Sequence, residues 1–315
     1  MIQKLVSVII PVYKPEKELV YLLDRLGKQS YDIMEIILIN TEEEYFDNGL
    51  LQDLDDKINN IIKVIHISKE EFDHGGTRNY GASIATGDYI MFMTQDAIPK
   101  DRNLVCKLVE AMNNNDDVYV AYARQLPRKN CDVIERYTRD FNYPDYDIIK
   151  DSSTLEQYGI KNYFCSDVCS MYRKDKFESL GGFKEKIIFN EDMVYAHKAM
   201  ENGGKIYYAS AAKVIHSHNY TCIEQLRRNF DNGVSQAMNE EVFKDVPSEG
   251  EGIKMVVDTC KKLLTDGYFY LIPMLIVKSG CKFVGFRLGK AYNKLNPKMI
   301  QKLTSDKSFW SKLEL

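Results

Sequence analysis

Short apolar runs alternate with amphipathic stretches through the first third of the chain. "LVSVIIPVY" (5–13) is β-branched and continuous, the pattern of a strand buried on both faces, and Pro11 is expected to stop it. "PEKELVYLLDRLGKQS" (15–30) puts Leu19, Leu22, Leu23 and Leu26 on one helical face, with Gly27 near the stop. "MEIILIN" (34–40) and "IIKVIHI" (61–67) predict two strands, "TRNYGASIATG" (77–87) a helix, "DYIMFM" (88–93) a strand and 101–115 a helix. Such alternation implies an α/β fold with a mostly parallel sheet flanked by helices. Ligands of these sheets bind beyond the carboxyl ends of the strands, which gathers Tyr13, Asn40 and Asp96 at one edge.

Beyond 116 the pattern mixes. "VYVAYARQLP" predicts a strand, a Tyr-rich polar stretch runs to about 160, and "CSDVCSMYR" reads as extended. "NEDMVYAHKAMENGG" (190–204) predicts a helix capped by Asn190 and stopped at Gly203–Gly204. "KIYYA" and "AKVIHSH" predict short strands, and the chain past 220 reads as helical. The expected division is 1–220 for a catalytic domain and 221–315 for a helical region.

Composition adds two constraints. With 315 residues, 44% hydrophobic and 28% charged, the chain has an ordinary soluble make-up and room for a second unit. Its seven cysteines lack paired zinc spacing and the N-terminus lacks a secretory pattern, so a reduced cytoplasmic setting is expected. The net charge of −4 hides an asymmetry, because nine Lys/Arg stand against Asp306 and Glu314 from 268 onward. A basic tail on an acidic body points to an anionic partner.

Three stretches can carry chemistry. In "EFDHGGTRNYGA" (71–82), Gly75 and Gly76 suit close approach of backbone to a ligand, Thr77 can cap a helix whose N-terminus would face an anion, and Arg78 can bind phosphate. A glycine turn before a surface helix is the plainer alternative. In "FMTQDAIP" (92–99), Asp96 can share a hard cation with a diphosphate, and His216 and His218, on one side of an extended segment, can complete its shell. A strand-end cap and edge histidines are the competing reading. In "NEDM" (190–193), Glu191 and Asp192 are explained either by the helix dipole or by a general base.

In order, "VSVIIPVY", "FDHGGTRNYGA", "FMTQDAIP", "ARQLP", "CSMYRKDKFESLGGF", "NEDM" and "HSHNYT…RRNFDNG" resemble bacterial family 2 glycosyltransferases of the GT-A (Rossmann-like) fold, and more closely their rhamnosyltransferase branch. The tail 284–310 resembles that branch too. The resemblance implies an inverting, metal-dependent glycosyltransferase using Mg²⁺ or Mn²⁺. Pro11, Tyr13, Asn40, Arg78, Thr94, Gln95, Asp96, Arg227 and Arg228 would bind the donor. Asp96 with His216 or His218 would hold the metal; Asp192 would be the base, supported by Glu191. Two departures stand out: Thr94 replaces the first acid of the Asp-x-Asp pair, and "NTEEE" replaces an acidic strand end followed by serines.

The same resemblance implies dTDP-L-rhamnose as donor and a polyprenyl-diphosphate-linked glycan as acceptor, with no nucleic acid involved. The protein would then be cytoplasmic and peripheral on the inner face of the plasma membrane. "YFYLIPMLIV" (268–277) is too short to span a bilayer, whereas Lys290, Lys294, Lys298 and Lys302 recur every four residues, a basic stripe that Pro297 would break. A soluble helical subdomain or a homodimer contact is the alternative for the tail. The alternative functions are another hexosyltransferase with a UDP- or dTDP-sugar, or a non-catalytic sugar-nucleotide-binding subunit. A nucleotidyltransferase is disfavoured, because "PVYKPEKE" offers no Gly-rich triphosphate loop.

Overall fold

A computed structural model describes residues 3–246 and 249–313; Glu314 of the basic tail lies outside them. Nine strands form one mixed sheet in the order β3-β2-β1-β4-β8-β6-β9-β5, with β7 on β9. They are β1 (Val6–Tyr13), β2 (Glu35–Thr41), β3 (Ile62–Ile67), β4 (Tyr89–Met93), β5 (Ile98–Pro99), β6 (Val118–Leu126), β7 (Ile148–Lys150), β8 (Cys169–Arg173) and β9 (Lys205–Ile215). The first four pair in parallel, as the alternation of strand and helix requires. β8 then enters antiparallel to β4 and β6.

Residue parity decides which layer each strand residue joins. Val6, Val8 and Ile10 pack with Leu19, Leu22 and Leu23 of the helix Lys17–Gly27 on one face. Ile9, Ile37 and Ile39 join Phe92, Tyr172 and Tyr195 on the other. Pro11 does not stop β1, which pairs with β2 as far as Tyr13. Its other neighbour, β4, pairs only with Val6–Ile9, so Pro11 lies where one side of the strand is open and a missing N–H is tolerated.

Further departures have local causes. The two short strands expected after 204 are one, β9, whose register against β6 jumps between Ala209 and Lys213. Asp147 binds the displaced turn through the Ser210 N–H and hydroxyl. Of "CSDVCSMYR" only Cys169–Arg173 is strand, leaving Asp167 in the preceding turn. Asn190 precedes the helix Glu191–Glu201 in a left-handed conformation, but its side chain binds Asn232 and does not cap.

The chain ends in helices Cys222–Met238, Glu249–Thr265, Ile272–Lys290, Pro297–Leu303 and Lys307–Lys312. Helices 222–238 and 272–290 meet backbone to backbone. A Cβ on Gly285 would lie 2.1 Å from the Leu226 carbonyl, and one on Gly289 2.0 Å from that of Phe230. The basic stripe is broken at Pro297, the first residue of its own helix, so Lys290 and Lys298 belong to separate elements. All seven cysteines are free.

Candidate active site

Topology brings the Asp96 turn to the histidines. Asp96 lies between β4 and β5, and β5 pairs with Val214–Ile215 at the end of β9, directly before His216. Asp96 Oδ2 is 3.4 Å from His216 Nε2 and 3.2 Å from His218 Nε2, and the two ring nitrogens are 3.1 Å apart. Ligands about 2.1 Å from one cation are separated by about 3.0–3.4 Å in octahedral or tetrahedral geometry, so this cluster fits a divalent metal. It is the only such His/Cys/Asp/Glu group among the described residues.

The surroundings prepare these atoms as ligands. His216 Nδ1 lies 3.0 Å from Gln125 Oε1, an oxygen that also accepts from Arg139 while the Gln125 amide donates to Ser166. That network makes Nδ1 the protonated nitrogen and turns the Nε2 lone pair toward Asp96. Burial pushes the His216 imidazole down, favouring this neutral form. Burial alone would raise the Asp96 carboxyl, but the two imidazoles beside it hold it well below the usual carboxylate range. Arg128 donates to the Asp96 carbonyl at 3.0 Å and pairs with Glu18 at 2.6 Å, fixing the turn.

A second cluster surrounds Arg78. The guanidinium is buried, 3.1 Å from Glu191 and 3.7 Å from Asp167, and it donates to the His74 carbonyl. Arg78 is therefore turned onto carboxylates rather than toward a phosphate. Asp167 accepts from Ser170 and Tyr172 at 2.5 and 2.7 Å, and its other oxygen is buried without a hydrogen-bond partner. Burial and the Glu191 charge push Asp167 up to about 6, despite Arg78. Asp192, half-buried at the mouth of this cluster, is pushed well above the usual range by burial and by Asp167 and Glu191. Asp167 and Glu191 thus share one arginine, with Asp192 beside them.

The glycine stretch serves packing. The helix begins at His74 and is capped by Asp73, whose carboxylate accepts from the Gly76 N–H while Thr77 Oγ1 accepts from the Asp73 N–H. Thr77 is thus not the cap, and the N-terminus expected to face an anion is satisfied internally. A Cβ on Gly75 would lie 2.1 Å from the Lys184 carbonyl, so what approaches that glycine is protein.

A cavity of about 470 Å³ is lined by Tyr13, Thr41, Lys69, His74, Phe189, Arg228 and Lys307, among others. Pro11, two residues earlier in β1, is not among the lining residues; Tyr13 is exposed there, its backbone clasped by Gln95 through bonds of 2.9 and 3.0 Å. Asn40 is fully buried against Glu42 and His66; by strand alternation its neighbour Thr41 reaches the cavity. Thr94 lies outside the ligand cluster with a buried, unpaired hydroxyl. Arg227 turns away to the Lys302 carbonyl. Arg228 stays, its guanidinium 5.2 Å from the Phe189 ring and 4.8 Å from that of Tyr220. The tail segment Ser305–Ser308 closes one wall, so the cavity crosses the boundary expected at 220. Thr41, Gln125, Arg128, Asp167 and Lys307 were not singled out by sequence; only the Asp167 turn had a signal, an acid just before a buried strand.

A mixed, mostly parallel sheet flanked by helices, with a carboxylate–histidine cluster where β4 and β9 end, defines an α/β fold of the enzyme kind. The chain belongs to glycosyl transferase family 2, whose model matches residues 7–181. It is 33% identical over 312 residues to the O-antigen chain rhamnosyltransferase RfbN of Salmonella typhimurium, covering 98% of this chain and 97% of that one. It is 36% identical over 253 residues to the O-antigen chain rhamnosyltransferase WbaN of Salmonella anatum, covering 80% of each. The GT-A fold matches the mannosyltransferase PcManGT of Pyrobaculum calidifontis, in complex with GDP-Man and Mn²⁺ (TM-score 0.55, 13% identity, 98% of this chain and 86% of that one). It also matches S. aureus TarS 1-349 in complex with UDP-GlcNAc (TM-score 0.52, 16% identity, 92% and 91%).

Proposed function

We propose that this glycosyltransferase moves L-rhamnose from dTDP-L-rhamnose, with inversion, to a hydroxyl of a polyprenyl-diphosphate-linked polysaccharide precursor at the inner face of the membrane. The likeness to two O-antigen chain rhamnosyltransferases, over 98% and 80% of the chain, supports the sugar and the acceptor class. One geometric observation carries the reaction type: Arg228 lies between Phe189, just before the helix bearing Asp192, and Tyr220, whose ring stacks on His218 of the carboxylate–histidine cluster. A cation at that junction, with Lys69 and Lys307 in the same cavity, suits a diphosphate leaving group flanked by base and metal ligands.

In this reading Asp192 takes the proton from the acceptor hydroxyl, which attacks the anomeric carbon opposite the diphosphate. Its raised proton affinity suits that task better than an ordinary carboxylate. The Arg78–Glu191 pair lies in the charge cluster beside it. Asp96, His216 and His218 would hold Mg²⁺ or Mn²⁺, which neutralises charge growing on the diphosphate. Tyr13 and Thr41 border the nucleotide. A donor panel tests the proposal: dTDP-rhamnose should release nucleotide fastest with a lipid-linked acceptor. Faster release from UDP-GlcNAc or GDP-mannose would replace the sugar assignment.

A further inference from the structure

Of the large apolar side chains that stand exposed among the described residues, half fall between Ile253 and Val284, on two adjacent helices and their connection. On helix 249–265 they are Ile253, Val257 and Leu264, spaced to lie along one face. The connection carries Phe269 and Tyr270, 65% and 63% exposed, beside half-exposed Tyr268. Helix 272–290 continues with Met274, Ile276, Val277, Phe283 and Val284. An apolar face of this extent on a folded domain marks a contact surface.

Residues Phe269–Lys290 are long and apolar enough to cross a bilayer, with a mean hydropathy of 1.4. Packing forbids it in this fold. Gly285 and Gly289 press their helix onto helix 222–238, which carries Arg228, so a spanning segment would lose that backbone-to-backbone contact. The contact is therefore lateral, with the exposed aromatic turn foremost.

Charge selects the partner. The hairpin, residues 249–290, holds seven Lys/Arg against Glu249, Glu251, Asp258 and Asp266, a net of +3 on a chain whose net charge is −4. A local excess of positive charge around an apolar, aromatic-tipped face is complementary to an anionic lipid surface and repels a second copy of the same face. The same helical turn that presents Ile253 to solvent presents Glu251 and Lys254 to a cavity of about 420 Å³ rich in Tyr and Phe. Tyr122 and Lys150 in that cavity are bonded to each other at 3.1 Å.

We infer that the hairpin of helices 249–265 and 272–290 docks on an anionic bilayer surface, inserting Phe269, Tyr270 and Ile276, and so aims the aromatic cavity at acceptors held in that membrane. The docking surface stands on exposure and charge; only its purpose rests on the lipid-linked acceptor proposed above.

Flotation of the full chain with phosphatidylcholine vesicles, with and without phosphatidylglycerol, tests it beside a Phe269→Ser/Tyr270→Ser/Ile276→Ser variant. Wild type should float with the anionic vesicles and the variant at least about tenfold less, because three apolar side chains leave the interface. Both should release nucleotide equally with a water-soluble acceptor, which shows that the variant is folded. Wild type remaining at the bottom, or variant floating equally, overturns the inference. So does a dimer in light scattering that the variant dissociates, which would give the face to a second copy. Flotation without rhamnosyl transfer would leave the docking intact and remove the function proposed above.

Discussion

His216 Nδ1 faces Gln125 Oε1 at 3.0 Å, and that contact determines which nitrogen His216 can offer to a metal. Gln125→Leu removes the acceptor, frees the tautomer and leaves Arg139 with Glu135 alone. Metal affinity should fall about 10–100-fold, the usual effect of losing such an outer partner. Mn²⁺ titration followed by electron paramagnetic resonance reads it directly; unchanged affinity would detach Gln125 from the site.

The cluster of Arg78 with three carboxylates makes the pH profile diagnostic. In the proposed reaction transfer requires ionised Asp192, and burial with neighbouring Asp167 and Glu191 raises its pKa, so activity should climb with pH above the ordinary carboxylate range. Asp167→Asn removes a like charge while keeping an acceptor for Ser170 and Tyr172. The acidic limb should then move to lower pH, as a kcat/KM profile would show. An unmoved limb would separate Asp167 from the base.

Asp192→Asn keeps the shape of the site and removes its base. Transfer should drop by about 10²–10⁴-fold with donor binding retained. Near-normal turnover would assign the proton to another group.

Glu35 ties β2 to the start of β4. Burial would raise its pKa, but Lys63, Thr86 and Ser7 outweigh it and hold the carboxyl at about 2 against an ordinary 4.5. A lowered folded-state pKa stabilises above 4.5 and loses that stabilisation as pH falls toward about 2. The contribution is on the order of 2–3 kcal/mol. Glu35→Gln should flatten the acid slope of stability in denaturant titrations across that window; an unchanged slope would contradict the network.

Helix 272–290 offers an internal comparison. A side chain at Gly289 meets the Phe230 carbonyl at 2.0 Å, whereas one at Gly280 meets nothing within 4 Å. Gly289→Val should cost about 2–4 kcal/mol, and Gly280→Ala should gain about 0.5–1 kcal/mol through helix propensity. Thermal unfolding of the two variants checks both signs.

The first strands and helices were legible because burial on both faces and helical spacing write themselves into local sequence, as in Val6–Tyr13 and Leu19–Leu26. Asp96, His216 and His218 were legible as candidates, and β5 on β9 is what joins them. What stayed hidden depends on long-range pairing. Gln125 gains its role only when β6 and β9 lie side by side. Arg78 looks like a phosphate ligand until the turn bearing Asp167 and the helix bearing Glu191 close around it. Asn40 and Thr41 exchange expectations because the strand end faces Thr41, not Asn40, toward the cavity. Ser305–Ser308 reaches the cavity wall from the far end of the chain, where no local pattern records it.

The most direct test of the proposed reaction measures dTDP release from dTDP-L-rhamnose with a polyprenyl-diphosphate-linked acceptor, with Mn²⁺ or EDTA, for wild type and Asp96→Asn. Metal-dependent release by wild type, abolished by EDTA and by the substitution, is the predicted result. Release that survives both would contradict the metal site at Asp96, His216 and His218, and with it the proposed chemistry.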